Sequence, residues 1–275
     1  MGLIHQMNNA SMIIFGGTKG IGKKLASHYA NNGFKVSVAS RHPQALGIQN
    51  GINVIMADVI EESSVEAVFV SHVKMWGQEP SVVINCAGIQ GPIGYSWTIP
   101  TIKIVETIKS NLLGSFIVAK LAVNRMMTIG SGCIVMFSGG GSVYARPNFN
   151  AYAISKAGVI RMVENIAEEL ALAGISGITI NAVAPGAVKT QMTEEVIKAD
   201  LKAGEKGLNE ALETFRTGGT SLKQITDLID FLIHKEINHG LTGRLIHVRE
   251  NYRDLALKYG KNVPEEIGKS RRITI

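Results

Sequence analysis

Short apolar and β-branched runs recur along the chain, separated by longer segments of helical period: SMIIF, KVSVAS, INVIMA, SVVINCA, CIVMFS, GITINAVA and RLIHV. They are near-continuous rather than alternating, the pattern of strands buried on both faces. Strand and helix in turn make βαβ units, so the pattern predicts an α/β fold, a doubly wound, mainly parallel sheet flanked by helices on both faces. Nothing reads as a linker, a repeat or a low-complexity tract, and residues 1–275 are expected to form one domain with a core over 11–249 and a C-terminal extension over 250–275. The least patterned stretch, 190–221, is polar and punctuated by glycines between the sixth strand and a last helix beginning near Leu222. It reads as a flap over a substrate.

Composition narrows the class. With 45% hydrophobic and 18% charged residues the chain can bury a core and lacks the character of a disordered protein. The most apolar helical stretch, NLLGSFIVAKLAVNRMM at 111–127, is interrupted by Lys120 and Arg125 and falls short of a membrane span, so it reads as a buried helix. Cys86 and Cys133 lie far apart in apolar segments, as free thiols of a reducing compartment do, and no metal-ligand spacing occurs. The N-terminus has no signal-peptide pattern, which leads to a cytoplasmic expectation. A net charge of +6 raises the question of nucleic acid, yet the basic residues are scattered and the one tight cluster is the terminal KSRR. Neither nucleic acid nor a membrane is expected as a partner.

The first strand runs into GGTKGIGKKLA, where Gly16, Gly20 and Gly22 allow a tight turn and let backbone N–H groups approach a pyrophosphate at the next helix's N-terminus. Gly17 to Lys23 also fits a phosphate loop, G-x-x-x-x-G-K. Lys24, however, stands where that motif needs a Ser or Thr for magnesium, which counts against an NTPase. After the second strand an acidic residue would bind a ribose 2′-OH, but the chain has Ser40 and Arg41, and Lys19 adds a second cation from the glycine turn. That pair favours NADP(H) over NAD(H), the alternative being that Arg41 is a solvated surface residue.

Tyr152 and Lys156 form Y-x-x-x-K on one face of a helix starting near Ala151. A phenol is a poor acid–base catalyst at neutral pH, and a neighbouring ammonium brings it toward the working range. Such pairs are common, but this one has company, because from about Ser11 to Arg249 the chain resembles the short-chain dehydrogenase/reductase family. FGGTKGIG, which includes Ile21, is similar to T-G-x-x-x-G-x-G with Phe15 in the threonine's place. ADV supplies Asp58 at an adenine-contact position, followed by Val59, and NCAG supplies Asn85, Ala87 and Gly88. Asn111 matches a helix asparagine that holds a proton-relay water, and PGAVKT, with Pro185, Gly186, Val188 and Thr190, matches a segment beside the nicotinamide. The resemblance implies a Rossmann-type domain, NAD(P)-dependent chemistry on a small carbonyl or alcohol substrate, and a homodimer or homotetramer packed through the helices of Asn111 and Tyr152. It assigns proton transfer to Tyr152, and ribose binding to Lys156.

Two departures stand out. The family's substrate-binding serine falls thirteen residues before the tyrosine, and here that position is Gly139. Ser138 is the expected catalytic partner if the glycine run re-routes the turn, with Ser142 or no serine as the alternatives. Near the C-terminus LTGRLIHVREN lacks the family's double glycine, and Arg244, His247, Arg249 and Arg253 make the region basic, either as a site for an acidic ligand or a neighbouring subunit, or as a solvated rim. The expected function is NADPH-preferring hydride transfer, set against a cofactor-binding scaffold that has lost turnover with Gly139.

Overall fold

The protein is described by a computed structural model in which residues 10–43, 51–259 and 264 are described. The terminal KSRR and nearly all of the C-terminal extension beyond 259 lie outside these residues. Seven parallel strands form one sheet: β1 (Ser11–Phe15), β2 (Lys35–Ser40), β3 (Ile52–Met56), β4 (Val82–Asn85), β5 (Gly132–Phe137), β6 (Ile178–Ala184) and β7 (Leu245–His247). Their order is β3-β2-β1-β4-β5-β6-β7, so the chain reverses direction across the sheet between β1 and β4. Each predicted run became a strand at its place, within two residues at either end.

The helices are α1 (Gly20–Asn31), α2 (Glu62–Trp76), α3 (Thr101–Ile108), α4 (Gly114–Ile129), α5 (Asn150–Leu172), α6 (Gln191–Ala199), α7 (Gly204–Thr217), α8 (Leu222–Ile233), α9 (Lys235–Asn238) and α10 (Tyr252–Tyr259). Alternate residues of each strand feed opposite faces. Met12 and Ile14 of β1 and Val135 of β5 join a core with Leu25 of α1 and Leu228 of α8. Ile13, Phe15, Ile134 and Met136 join a second core with Phe69 of α2, Val118 of α4 and Val163 of α5. This two-sided burial is why the strands read as continuous apolar runs.

Two expectations need correction. The apolar stretch at 111–127 belongs to a longer helix, because α3 continues through a π-helical turn at Lys109–Leu113 into α4. Thr101–Ile129 is then 29 residues, long and apolar enough to cross a membrane, yet Ile117, Val118, Leu121, Ala122 and Met126 pack against the sheet. Its outer face is exposed at Leu113 and Phe116, so the helix is only partly buried. The unpatterned stretch at 190–221 is largely helical, made of α6, a short 3₁₀ turn and α7. Val196, Ala203 and Ala211 close over Phe149 in a small core of their own. The helix at Leu222 is not the last, since α9 and α10 follow.

A buried polar cluster ties β2 to α2. Ser37 Oγ accepts from Trp76 Nε1 at 3.2 Å and from Asn53 Nδ2 at 3.3 Å, which leaves its own proton for His72 Nδ1 at 2.8 Å. His72 is fully buried, and burial, aided by the Lys35 charge, pulls its pKa down to about 4. The unfolded chain, with an ordinary histidine, therefore takes up this proton first as pH falls, so stability is lost from about pH 6.5 down to about pH 4. The expected loss is about 3 kcal/mol, order of magnitude, over that window. Urea unfolding between neutral pH and pH 5 checks it, since His72→Asn should flatten the acid limb and an unchanged limb would assign the loss to other groups.

Candidate functional site

The C-terminal edge of the sheet, where β1 and β4 diverge, opens into a cleft of about 400 Å³. This is the switch point at which doubly wound sheets bind ligands. One wall is the β1–α1 turn. Gly16 has φ +74°, and a Cβ there would lie 2.6 Å from the backbone N of Ala87, so only glycine lets the turn approach the end of β4. A Cβ on Gly22 would meet the Gly16 carbonyl oxygen at 2.4 Å, which brings α1 against its own entry turn. No side chain caps α1, and its N-terminal residues Lys19, Gly20, Ile21 and Gly22 line the cleft. Unclaimed N–H groups and the positive helix end suit a phosphate there. Lys24, the residue that weakens the phosphate-loop reading, is exposed on the outside of α1.

At the far end Ser40 and Arg41 line the cleft, together with His42, which the sequence reading missed. The His42 N–H donates to Ser40 Oγ at 3.2 Å, folding this corner back toward the cleft. Asp58 and Val59 line the same region, and Asp58 Oδ1 accepts from the Ile60 N–H at 3.3 Å. Ala87, Gly88, Pro185 and Thr190 also face the cleft. Gln90, Gln191, Met192 and Glu195 join them without having been expected.

Three expected cofactor residues do not line the cleft. Asn85 is buried, its Nδ2 donating to Ser115 Oγ at 3.0 Å and its Oδ1 accepting from the Ala87 N–H at 3.0 Å, so it shapes the exit from β4. Gly186 has φ +71° and packs against Thr220, while Val188 bridges to Gly219 at the base of α6 and α7. Both belong to the seam between β6 and the flap.

Tyr152 and Lys156 enter the cleft from the first turns of α5. Lys156 Nζ donates to the Phe137 carbonyl oxygen at 2.8 Å, and burial lowers its pKa to about 8, with Cys86 opposing. Burial pushes the Cys86 thiol up, so it stands there as a neutral group. The Tyr152 phenol is also pushed up by burial, and the charge that opposes this is Arg146 rather than Lys156. The lysine ammonium sits 5.8 Å from the centre of the tyrosine ring.

Asn111 sits in the π-helical turn, a deformation that recurs at functional sites. Its Oδ1 accepts from the Ile89 N–H at 2.8 Å, and its Nδ2 donates to the Ile89 carbonyl at 3.0 Å and to Ser155 Oγ at 3.1 Å. The side chain thus clamps the β4 exit to α5, and a Cβ on Gly88 would touch both Asn111 Oδ1, at 3.0 Å, and Lys156 Nζ, at 3.5 Å.

Ser138 lines the cleft together with Tyr152 and Lys156. Ser138 is buried, and its hydroxyl is directed to the Lys156 carbonyl oxygen at 3.2 Å and to Ser142 Oγ at 3.1 Å. Ser142 in turn donates to the Gly139 carbonyl. The atom facing the Tyr152 hydroxyl is the one Gly139 lacks, since a Cβ there would lie 3.0 Å from the phenol oxygen. In the C-terminal basic region Arg244 is buried, donating to the Pro264 carbonyl at 3.2 Å, so the solvated-rim reading does not hold for it; Arg249 and Arg253 are exposed.

Comparisons with known proteins agree with this architecture. Residues 10–201 match the short chain dehydrogenase family. An NADPH-dependent aldehyde reductase-like protein of Arabidopsis thaliana chloroplasts is 31% identical over 66% of this chain and 73% of its own length. The 3-oxoacyl-[acyl-carrier-protein] reductase MabA of Mycobacterium tuberculosis is 28% identical over 86% of this chain and 90% of its own. Among solved structures, a variant actinorhodin polyketide ketoreductase with NADPH superposes with a TM-score of 0.75 at 25% identity, covering 87% of this chain and 95% of that one. With the parallel sheet, the glycine turn and the Tyr152–Lys156 pair at its switch point, the chain belongs to the short-chain dehydrogenase/reductase family of NAD(P)-dependent oxidoreductases.

Proposed function

We propose that this protein is an NADPH-preferring reductase of a small carbonyl compound, running as an alcohol dehydrogenase in the reverse direction. The observation that carries the reading is a single cleft with two chemically distinct ends: Lys19, Arg41 and His42 at one, Tyr152 and Lys156 at the other. The cradle fits a dinucleotide, since glycine at Gly16 and Gly22 lets the turn pack against the end of β4 and its own entry, leaving the uncapped start of α1 on the cleft where a pyrophosphate would lie. When bound, the nicotinamide supplies or receives the hydride. Tyr152 transfers the proton at the substrate oxygen, and Lys156 binds the ribose from the buried floor of the site. Asn111 holds Ile89 and α5 in register, so that Lys156 and Tyr152 stay on one side of the cleft. Two of the relatives are described as NADPH-dependent or hold NADPH, which supports the cofactor choice. The same reading includes a homodimer or homotetramer, supported by exposed Leu113, Phe116 and Ile154 on the long helix and α5.

The cofactor preference is open to calorimetric titration. Each charge-assisted contact to a 2′-phosphate contributes about 1.5–3 kcal/mol, so Arg41→Ala is expected to weaken NADPH binding by about tenfold or more and to leave NADH nearly unchanged. Equal affinities in the wild type, or equal losses for both cofactors in the variant, would remove the basis for the preference.

A further inference from the structure

Of the buried side-chain nitrogens and oxygens that lack a hydrogen-bond partner among the described residues, one belongs to a residue that lines the cleft: Nε2 of Gln90. The residue is 5% exposed. A buried amide donor left unpaired costs stability, so its presence in a folded site calls for a partner that arrives later. Its backbone is fixed on both sides. Ile89, before it, exchanges two hydrogen bonds with the Asn111 side chain, at 2.8 and 3.0 Å. Gly91, after it, has φ +70° and lies so close to α3 that a Cβ would be 2.3 Å from Thr107 Oγ1. Two residues earlier stands Gly88, where a Cβ would lie 3.5 Å from Lys156 Nζ. Consecutive Cα atoms are about 3.8 Å apart, which puts the Gln90 Cα within about 7.6 Å of the Gly88 Cα, beside the active end of the cleft.

The neighbouring polar side chains already have partners. Lys156 Nζ donates to the Phe137 carbonyl, and the Ser138 hydroxyl is engaged by the Lys156 carbonyl and by Ser142. Asn111 is spent on Ile89 and Ser155, and Gln191 Nε2 donates to Glu195 Oε1 at 3.1 Å. The Tyr152 hydroxyl, by the role given to it above, serves the carbonyl that is reduced. Gln90 therefore brings a second donor to the same cleft, and a molecule that satisfies both carries two acceptor oxygens. We propose that Gln90 selects the substrate, donating from Nε2 to a second oxygen a few bonds from the carbonyl that receives the hydride. Because Nε2 only donates, the oxygen that suits it is one that only accepts, so the substrate class is a dicarbonyl compound. A monoketone of the same skeleton leaves the buried amide unpaired, and a site built around such a hydrogen bond discriminates strongly against the analogue that lacks it. The inference rests on the reductase reading of the cleft.

Two measurements separate this inference from the reading beneath it. The first is of binding, on protein carrying nitrogen-15 in its glutamine side-chain amides and saturated with NADP⁺. The Gln90 resonances are assigned by their loss in Gln90→Leu or, should that variant fail to fold, in Gln90→Glu. Biacetyl, acetylacetone and acetonylacetone are added in turn, each against the monoketone of its own skeleton: butanone, methyl propyl ketone and methyl butyl ketone. At least one dicarbonyl is expected to shift the Gln90 resonances at a concentration at which its monoketone does not. The second is of turnover with NADPH, in which Gln90→Leu is expected to lower the ratio of kcat/KM for that dicarbonyl to kcat/KM for its monoketone by about tenfold or more. Gln90 resonances unmoved by all three dicarbonyls, or moved equally by the monoketones, overturn the proposal. An unchanged ratio overturns it too, as does a fall in NADPH affinity as large as the loss of turnover, which would assign the amide to the cofactor. A selective shift without turnover in the wild type upholds the binding role of Gln90 and counts against the reductase reading, whereas turnover with an unchanged ratio counts against Gln90 alone.

Discussion

Tyr152→Phe is expected to lower turnover by about 10²–10⁴-fold, the usual worth of a positioned general acid, while leaving NADPH affinity within about twofold of wild type. Tyr152 lines the cleft beside Gly139, where a Cβ would lie 3.0 Å from its hydroxyl and 3.5 Å from its ring. Phenylalanine keeps that packing and removes the proton. The split between lost turnover and retained binding separates a transition-state role from a structural one. It also separates the two functional readings, because a cofactor-binding scaffold would show neither wild-type turnover nor any change in the variant. Stopped-flow measurement of NADPH consumption, paired with calorimetry, reads both quantities.

Lys156→Met is expected to move stability and function in opposite directions. The ammonium is almost wholly buried, and its pKa of about 8 lies below that of an ordinary lysine because burial disfavours the charge. The unfolded chain therefore binds this proton more tightly. The resulting penalty is fully present below about pH 8 and is relieved as pH rises toward the ordinary lysine value. At neutral pH it is about 3 kcal/mol, order of magnitude. Methionine removes it and fills similar volume, at a cost of about 1–2 kcal/mol for the Phe137 carbonyl left without its donor. The variant should thus unfold at higher urea concentration at pH 7, bind NADPH more weakly and turn over no faster than Tyr152→Phe. A variant less stable than wild type would show that the ammonium, not the cofactor it binds, holds this part of the fold together.

Most of the fold was legible because burial on both sheet faces forces apolar residues at most strand positions, and these runs carry their own boundaries. The glycine turn, Arg41 and the Tyr152–Lys156 pair were legible for a different reason, since each needs a residue type at a fixed spacing. The helices of the flap were not legible, because its glycines look like breakers. Gly218, at φ +85°, closes α7, and Gly207 is small where Phe149 passes, a Cβ there lying 2.9 Å from the ring. Amphipathic helices continue around them.

Other positions are harder to read from spacing alone. Asn85, Gly186 and Val188 sit next to the cleft in sequence, yet their contacts are turned to Ser115, Thr220 and Gly219. Ser138 lines the cleft, and its hydroxyl is engaged by the Lys156 carbonyl and by Ser142. His42 and Gln90 reach the cleft from turns whose path no spacing rule describes.

The most direct test of the account is the fate of the hydride. Wild type and Tyr152→Phe are incubated with NADPH deuterated on both faces at the reactive carbon and with a mixture of aldehydes and ketones, and the alcohols formed are weighed by mass spectrometry. The account expects one or a few alcohols carrying a single carbon-bound deuterium from wild type, and a loss of that product in Tyr152→Phe as deep as the loss in turnover. Deuterated alcohol formed at equal rates by both proteins would contradict it.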